Sequence, residues 1–169
     1  MWYVIQVRSG SEESIRKQCQ KIMDKEILER CFVPKYEEKK RYQGAWHTEE
    51  KNLFPGYVFL VSSRLDELYE KLKGIIGMTK LLGTGKEIVS LKEDEIELLE
   101  KLEAGEKPVA LSEGIIENGK VRVMVGPLMG LEGYIKKIDR HKRKAWLSIK
   151  MFGKNMEMEV GLEIIGKTG

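Results

Sequence analysis

The sequence predicts an α+β fold in two modules: an N-terminal antiparallel sheet flanked by helices over residues 1–104, and a small β-barrel over residues 117–169. A flexible linker over residues 105–116 is expected between them. Three observations predict this. Strand-like and helix-like apolar periodicities alternate through the first part of the chain. From Gly119 onward, apolar residues recur at every second position and glycines punctuate them. Between the two, Glu103 to Ile116 holds Gly105, Pro108 and Gly114 among many charges, a composition that buries too little apolar area to fold alone.

In the first module, Trp2-Tyr3-Val4-Ile5-Gln6-Val7 is aromatic and β-branched, as a central strand is. Ser9-Gly10-Ser11 breaks it. Ser11 is the N-cap of a helix with Glu12 and Glu13 in its first turn, at the positive end of the helix dipole. Ile15, Cys19, Ile22 and Met23 form its buried stripe, and Arg16, Lys17, Gln20 and Lys21 its opposite face. Phe32-Val33-Pro34 starts a second strand running through Tyr36 into Lys39, Lys40 and Arg41. Gln43 to Asn52 is expected as a polar hairpin tip with an exposed Trp46. Leu53 to Val61 is the strongest strand of this half. Pro55 lacks a ladder donor, so the strand is an edge there or begins there, and Gly56 admits another backbone closely. Phe54 and Tyr57 are then either core or an aromatic pair beside that edge. Leu65, Leu68, Tyr69 and Leu72 mark a second helix ended by Gly74, and Met78 to Leu82 a short strand. Ser90 with Glu93 reads as a capping box for a third helix with the stripe Ile96, Leu99 and Leu102.

In the second module, Val121, Val123 and Val125 share one face of a strand, followed by a turn at Gly126-Pro127. Tyr134, Ile135 and Ile138 begin the next strand, Ala145 to Ile149 a third and Met156 to Val160 a fourth. Leu162, Ile164 and Ile165 close the barrel. Charge is uneven. Residues 114–169 hold 11 Lys and Arg against 6 Asp and Glu, whereas the remainder holds 19 against 21. Lys136, Lys137, Arg140, His141, Lys142, Arg143 and Lys144 crowd two strands and their hairpin, opposed there by Asp139. Such a concentration is the footprint of a phosphate-binding surface, or of a solubilising hairpin without a partner.

Gly119-Lys-Val-Arg-Val, Gly126-Pro127-Leu-Met-Gly130, Gly133, Ile138-Asp139 and Phe152-Gly153 resemble the KOW domain of the NusG family of transcription elongation factors. Trp2-Tyr3-Val4, Ser9-Gly10, Val33-Pro34 and Phe54-Pro55-Gly56-Tyr57-Val58 resemble the family's N-terminal domain, NGN. The resemblance spans nearly the whole chain and implies an SH3-like barrel for the second module. It also implies that Trp2, Phe54, Pro55, Gly56 and Tyr57 dock on the clamp of RNA polymerase, and that Arg16, Lys17, Gln20 and Lys21 face non-template or upstream DNA. After Phe152-Gly153 the family pattern Arg-x-Thr-Pro-Val-Glu-Leu is replaced by Lys154-Asn155-Met156-Glu157-Met158-Glu159-Val160, which puts Rho and the ribosomal protein in doubt as partners. The basic hairpin points to an RNA hairpin instead. The chain therefore looks like a specialised antitermination paralogue of the LoaP type. Its alternatives are a housekeeping elongation factor and a KOW-type ribosome-associated RNA-binding protein.

No catalytic constellation is found, and neither a cofactor nor a metal is expected. His47 and His141 sit in polar loops without metal-ligand spacing. Gly83-Thr84-Gly85-Lys86 lacks the spacer and the Ser or Thr of a phosphate loop. Cys19 and Cys31 are too few for a disulfide framework. With no apolar run of membrane-spanning length and no leader pattern, a cytoplasmic monomer is expected.

Overall fold

Alternating apolar strands need a partner surface, and in the computed structural model each set finds one. The structure describes residues 1–75, 88–102 and 107–169. These form two units: one of Met1–Val33 with Phe54–Glu97, the other of Pro34–Leu53 with Leu98–Gly169.

In the first unit, β1 (Trp2–Gln6), β2 (Arg30–Phe32), β5 (Tyr57–Val61) and β6 (Ile88–Ser90) make an antiparallel sheet of order β2-β5-β1-β6. The period of two divides its residues between faces. Tyr3, Ile5, Val7, Val58 and Leu60 pack against Ile15 and Cys19 of α1 (Glu12–Ile22) and Leu68 and Leu72 of α2 (Leu65–Leu72). Trp2, Val4, Phe32, Phe59 and Val61 line the other face, as the registers Trp2↔Val61, Val4↔Phe59 and Phe32↔Phe59 require. The thiols of Cys19 and Cys31, far apart in sequence, share a hydrogen bond in this core. That bond, followed by burial, pushes the Cys31 thiol up.

Several sequence expectations are corrected. Ile22 is 39% exposed, and buried Glu12 takes a place on the inner side of α1. Ser11 holds the N-cap position without a side-chain cap bond. Ser90 ends β6, and the cap of α3 (Glu93–Lys101) is Glu95 Oε1, which accepts the Lys92 amide at 2.9 Å. The expected strand at Met78 to Leu82 and the Gly83–Lys86 turn lie outside the described residues.

In the second unit, β3 (Lys35–Tyr42) and β4 (Ala45–Asn52) form a hairpin with full register from Lys35↔Asn52 to Tyr42↔Ala45. The span read as a polar tip is thus mostly a strand, and only Gln43-Gly44 turns. β7 (Ser112–Glu117), β8 (Lys120–Val125), β9 (Ile135–Asp139), β10 (Lys144–Met151) and β11 (Lys154–Thr168) form a sheet of order β8-β7-β11-β10-β9. β7 occupies residues expected in the linker, and Val109 of the same span bridges Tyr36. β11 runs the expected fourth strand and closing segment together as one strand, antiparallel to β10 and then parallel to β7. Gln43-Gly44, Asn118-Gly119 and Phe152-Gly153 all have positive φ, as two-residue hairpin turns demand. At Gly126, φ is +111° and a Cβ would lie 2.6 Å from Ser112 Oγ. That hydroxyl accepts the Leu128 amide at 3.0 Å, which fixes the Gly126–Gly130 loop on β7. No helix among the described residues is long and apolar enough to cross a membrane.

Candidate functional site

The residues expected at polymerase and at RNA fall in two places, one in each unit. The first is the aromatic sheet face, whose Val4, Phe32, Phe54, Phe59 and Val61 are buried. The Trp2 ring meets Phe32 edge-on at 5.5 Å, Phe32 stacks on Phe59 at 5.4 Å, and Phe59 meets Phe54 at 5.5 Å. The guanidinium of Arg30 lies 4.7 Å over Phe32 and 5.5 Å over Trp2, a cation–π arrangement that the sequence reading did not include. Phe54 is 1% exposed and Tyr57 8%, so they anchor the face from beneath, while Trp2 is half-buried and Pro55 exposed. Pro55 and Gly56 form a turn ahead of β5, where the missing proline donor costs no ladder bond.

A buried carboxylate pins that turn. Glu12, 2% exposed, accepts the Gly10 amide at 2.5 Å and the Gly56 amide at 2.9 Å, and Val7 N–H donates to Gly56 O at 2.8 Å. Gly56 has φ +88°, and a Cβ there would sit 3.4 Å from Val7 O. Glu12→Ala is expected to lower the unfolding free energy by about 2 kcal/mol, because charge-assisted acceptors are lost from buried donors. A chemical-denaturation midpoint equal to that of the parent chain would show that Glu12 does not hold the turn.

On α1, Arg16 bonds Glu13 Oε2 at 2.9 Å and Gln20 Oε1 at 2.9 Å, while Lys17 and Lys21 are exposed. The four predicted residues do share one side of the helix, but Arg16 and Gln20 are already engaged with each other.

The second surface is the β9–β10 hairpin. Lys136, Lys137, Arg140, His141 and Lys142 are exposed on it. Its loop is held by the Lys142 amide, which donates to Asp139 Oδ1 at 2.9 Å and keeps that carboxyl below the usual range. Lys137 Nζ lies 4.5 Å over the Trp146 ring. Arg143, in left-handed backbone with φ 53°, lays its guanidinium 3.9 Å over the Trp46 ring and meets Glu163 at 3.7 Å.

Lys144 differs from its neighbours. Its side chain is 15% exposed and its ammonium is paired with Glu38 and with Glu159, the latter at 3.3 Å. Glu159 also accepts Tyr36 Oη at 2.9 Å and Trp146 Nε1 at 3.1 Å. Burial alone would raise the Glu159 carboxyl, but these donors and the Lys144 charge outweigh it and hold it below the usual carboxylate range. Burial likewise pulls Lys144 down, and Glu38 and Glu159 more than reverse it. Burial, followed by the Glu159 hydrogen bond, pushes the Tyr36 hydroxyl up. The segment that departs from the family pattern thus supplies, through Glu159, the hub between β3 and the barrel strands.

Beside this hub runs a groove of about 430 Å³ lined by Glu38, Lys39, Lys40, Arg41, Trp46, His141, Lys142 and Lys144. Lys39, Lys40 and Arg41, expected simply as strand residues, join it. Their signal is a run of three cations whose last member pairs with Trp46 in the hairpin register, Arg41↔Trp46.

A family model described as "NusG: Transcription termination factor nusG" matches residues 1–100. The chain is 28% identical over 169 residues to the transcription termination/antitermination protein NusG of Helicobacter pylori, spanning 94% of this chain and 93% of that protein. It is 27% identical over 173 residues to the protein of the same name from Staphylococcus aureus, spanning 98% and 94%. A solved structure titled "Domain interaction in Thermotoga maritima NusG" matches with a TM-score of 0.56 at 20% identity, over 95% of this chain and 92% of that one, and so shares the fold. With more than half of its 169 residues matched by the family model, and relatives aligned almost end to end, the chain belongs to the NusG family of transcription termination and antitermination factors.

Proposed function

We propose that this chain is a specialised antitermination factor of the LoaP type, which docks on the clamp of RNA polymerase through its N-terminal unit and contacts leader RNA through its basic barrel hairpin. The single observation that carries the RNA assignment is the set of exposed cations Lys136, Lys137, Arg140 and Lys142 on one hairpin, with His141 among them. Docking is assigned to Trp2 and Pro55 at the surface, backed by Phe54, Gly56 and Tyr57. Trp2 is the aromatic anchor at the surface, in keeping with the concentration of hot spots in such residues, and the buried Phe54 and Tyr57 support it from the core. Lys17 and Lys21, with Arg16 and Gln20 beside them, are assigned to non-template DNA. The mechanism is a population shift rather than chemistry. A factor that binds the closed clamp more tightly disfavours the opened, paused state, and about 1.4 kcal/mol of differential affinity shifts that balance tenfold.

A second reading is a housekeeping NusG whose barrel couples polymerase to Rho or to the ribosome. The relatives, which are transcription termination/antitermination proteins, favour it, and the loss of the Thr-Pro pattern after Phe152-Gly153 favours the specialist. Transcript profiling after deletion of the gene separates the two. The specialist predicts lost read-through in a few long operons; a broad change in transcription would overturn it.

A further inference from the structure

We propose that the groove between the β3–β4 hairpin and the β9–β10 loop is an RNA cleft, in which Lys39, Lys40, Arg41 and Trp46 contribute to binding alongside the barrel residues. This deepens the proposed function and rests on it. Charge is the first argument. Glu38 cancels Lys144, so Lys39, Lys40, Arg41 and Lys142 leave the lining with a surplus of four positive charges, and His141 adds a polar ring. A phosphodiester strand is a polyanion that fits a groove of this sign. The lining also has an aromatic member. Trp46 is 37% exposed at the groove wall, with the Arg143 guanidinium 3.9 Å and that of Arg41 6.0 Å over its ring, and a base can stack beside it. The Glu38 carboxylate is buried and paired with Lys144, so it does not oppose a bound strand. RNA adds the ribose 2′-hydroxyl, a donor and acceptor that DNA lacks, which separates the two at such a site.

The two walls of the cleft are fixed to each other by the hub around Lys144 and Glu159, so the strand meets a formed site. Two hairpins distant in sequence then read one ligand.

The test titrates the full chain, over a salt series, against a fluorescein-labelled oligouridylate and its deoxy counterpart. The variant Lys39→Gln/Lys40→Gln/Arg41→Gln should bind at least tenfold more weakly, and the slope of log affinity against log salt should shrink by about two, the share of three phosphate contacts on a single strand. Trp46→Ala should weaken binding further, and the ribo probe should bind more tightly than the deoxy probe. A triple variant with the parent's slope and affinity overturns the cleft, as does equal binding of the two probes. The outcomes remain separable. If Arg140→Gln/Lys142→Gln weakens binding and the triple variant does not, the barrel's RNA role stands and the cleft falls; if neither weakens binding, both fall. Should the triple variant fail to fold, photocrosslinking the unaltered chain to a thiouridine-substituted oligouridylate decides. Crosslinks in both residues 39–46 and residues 136–143 support the cleft, and crosslinks confined to the latter overturn it.

Discussion

Lys144→Ala is expected to destabilise the second unit by about 3 kcal/mol, seen as a lower denaturation midpoint for that unit. The reason is asymmetric desolvation. Glu38 has a side chain only 9% exposed, and removing its ammonium partner strands a buried carboxylate. Glu159, 42% exposed on its side chain, loses less because water solvates it. Replacing Glu38 by Gln in the same chain should recover much of the loss, since no unpaired charge then remains. Failure of that second change to rescue would assign the cost to packing of the Lys144 stem.

The same hub sets a pH window. Glu159 is held below its unfolded value, so its contribution is present above roughly pH 4 and is lost as pH falls through its folded value. Lys144 and Tyr36 are both held above theirs, so their contributions are complete below about pH 10 and fade as pH rises past it. Stability of the second unit should therefore plateau between these limits and fall on both sides, and Glu159→Gln should flatten the acid limb. A variant with an unchanged acid limb would remove Glu159 from the hub.

The second large effect concerns nucleic acid. Neutralising Lys136, Lys137, Arg140 and Lys142 together should reduce the salt slope of RNA affinity by about three and weaken binding by about two orders of magnitude at physiological salt. All four are exposed, so the fold should persist. Lys144→Gln is the contrast: a cation in the same run whose charge is consumed internally. Its loss should change stability far more than it changes the salt slope.

The α+β class was legible because period-two alternation and helical stripes are local signals. The valines of β8 and the stripe of α1 each announce their element. Boundaries failed where a few residues decide between a turn and a strand. Gln43 to Asn52 looks like loop because β4 carries polar residues on both faces, and its strand identity comes from pairing with β3 rather than from an apolar face. β7 was hidden inside a charged segment for a like reason: Ser112 and Gly114 take its buried positions, its apolar Ile115 and Ile116 are adjacent rather than alternating, and one of its partners, β11, lies far along the chain. The site was half legible. A cluster contiguous in sequence, Arg140 to Lys144, is visible by inspection. That Lys144 faces inward to Glu38, that Glu12 binds Gly56, and that Lys39 to Arg41 share a groove with His141 are tertiary facts. No spacing rule encodes them.

Simultaneous capture tests the central claim most directly. The full chain is immobilised and presented with core RNA polymerase and labelled RNA, alongside a Trp2→Ala/Pro55→Asp variant and the four-cation variant. Separate grips predict a crossed result: the first variant loses polymerase and keeps RNA, and the second loses RNA and keeps polymerase. If both variants lose the same partner, or the unaltered chain retains no polymerase, the assignment of one surface to each unit is contradicted.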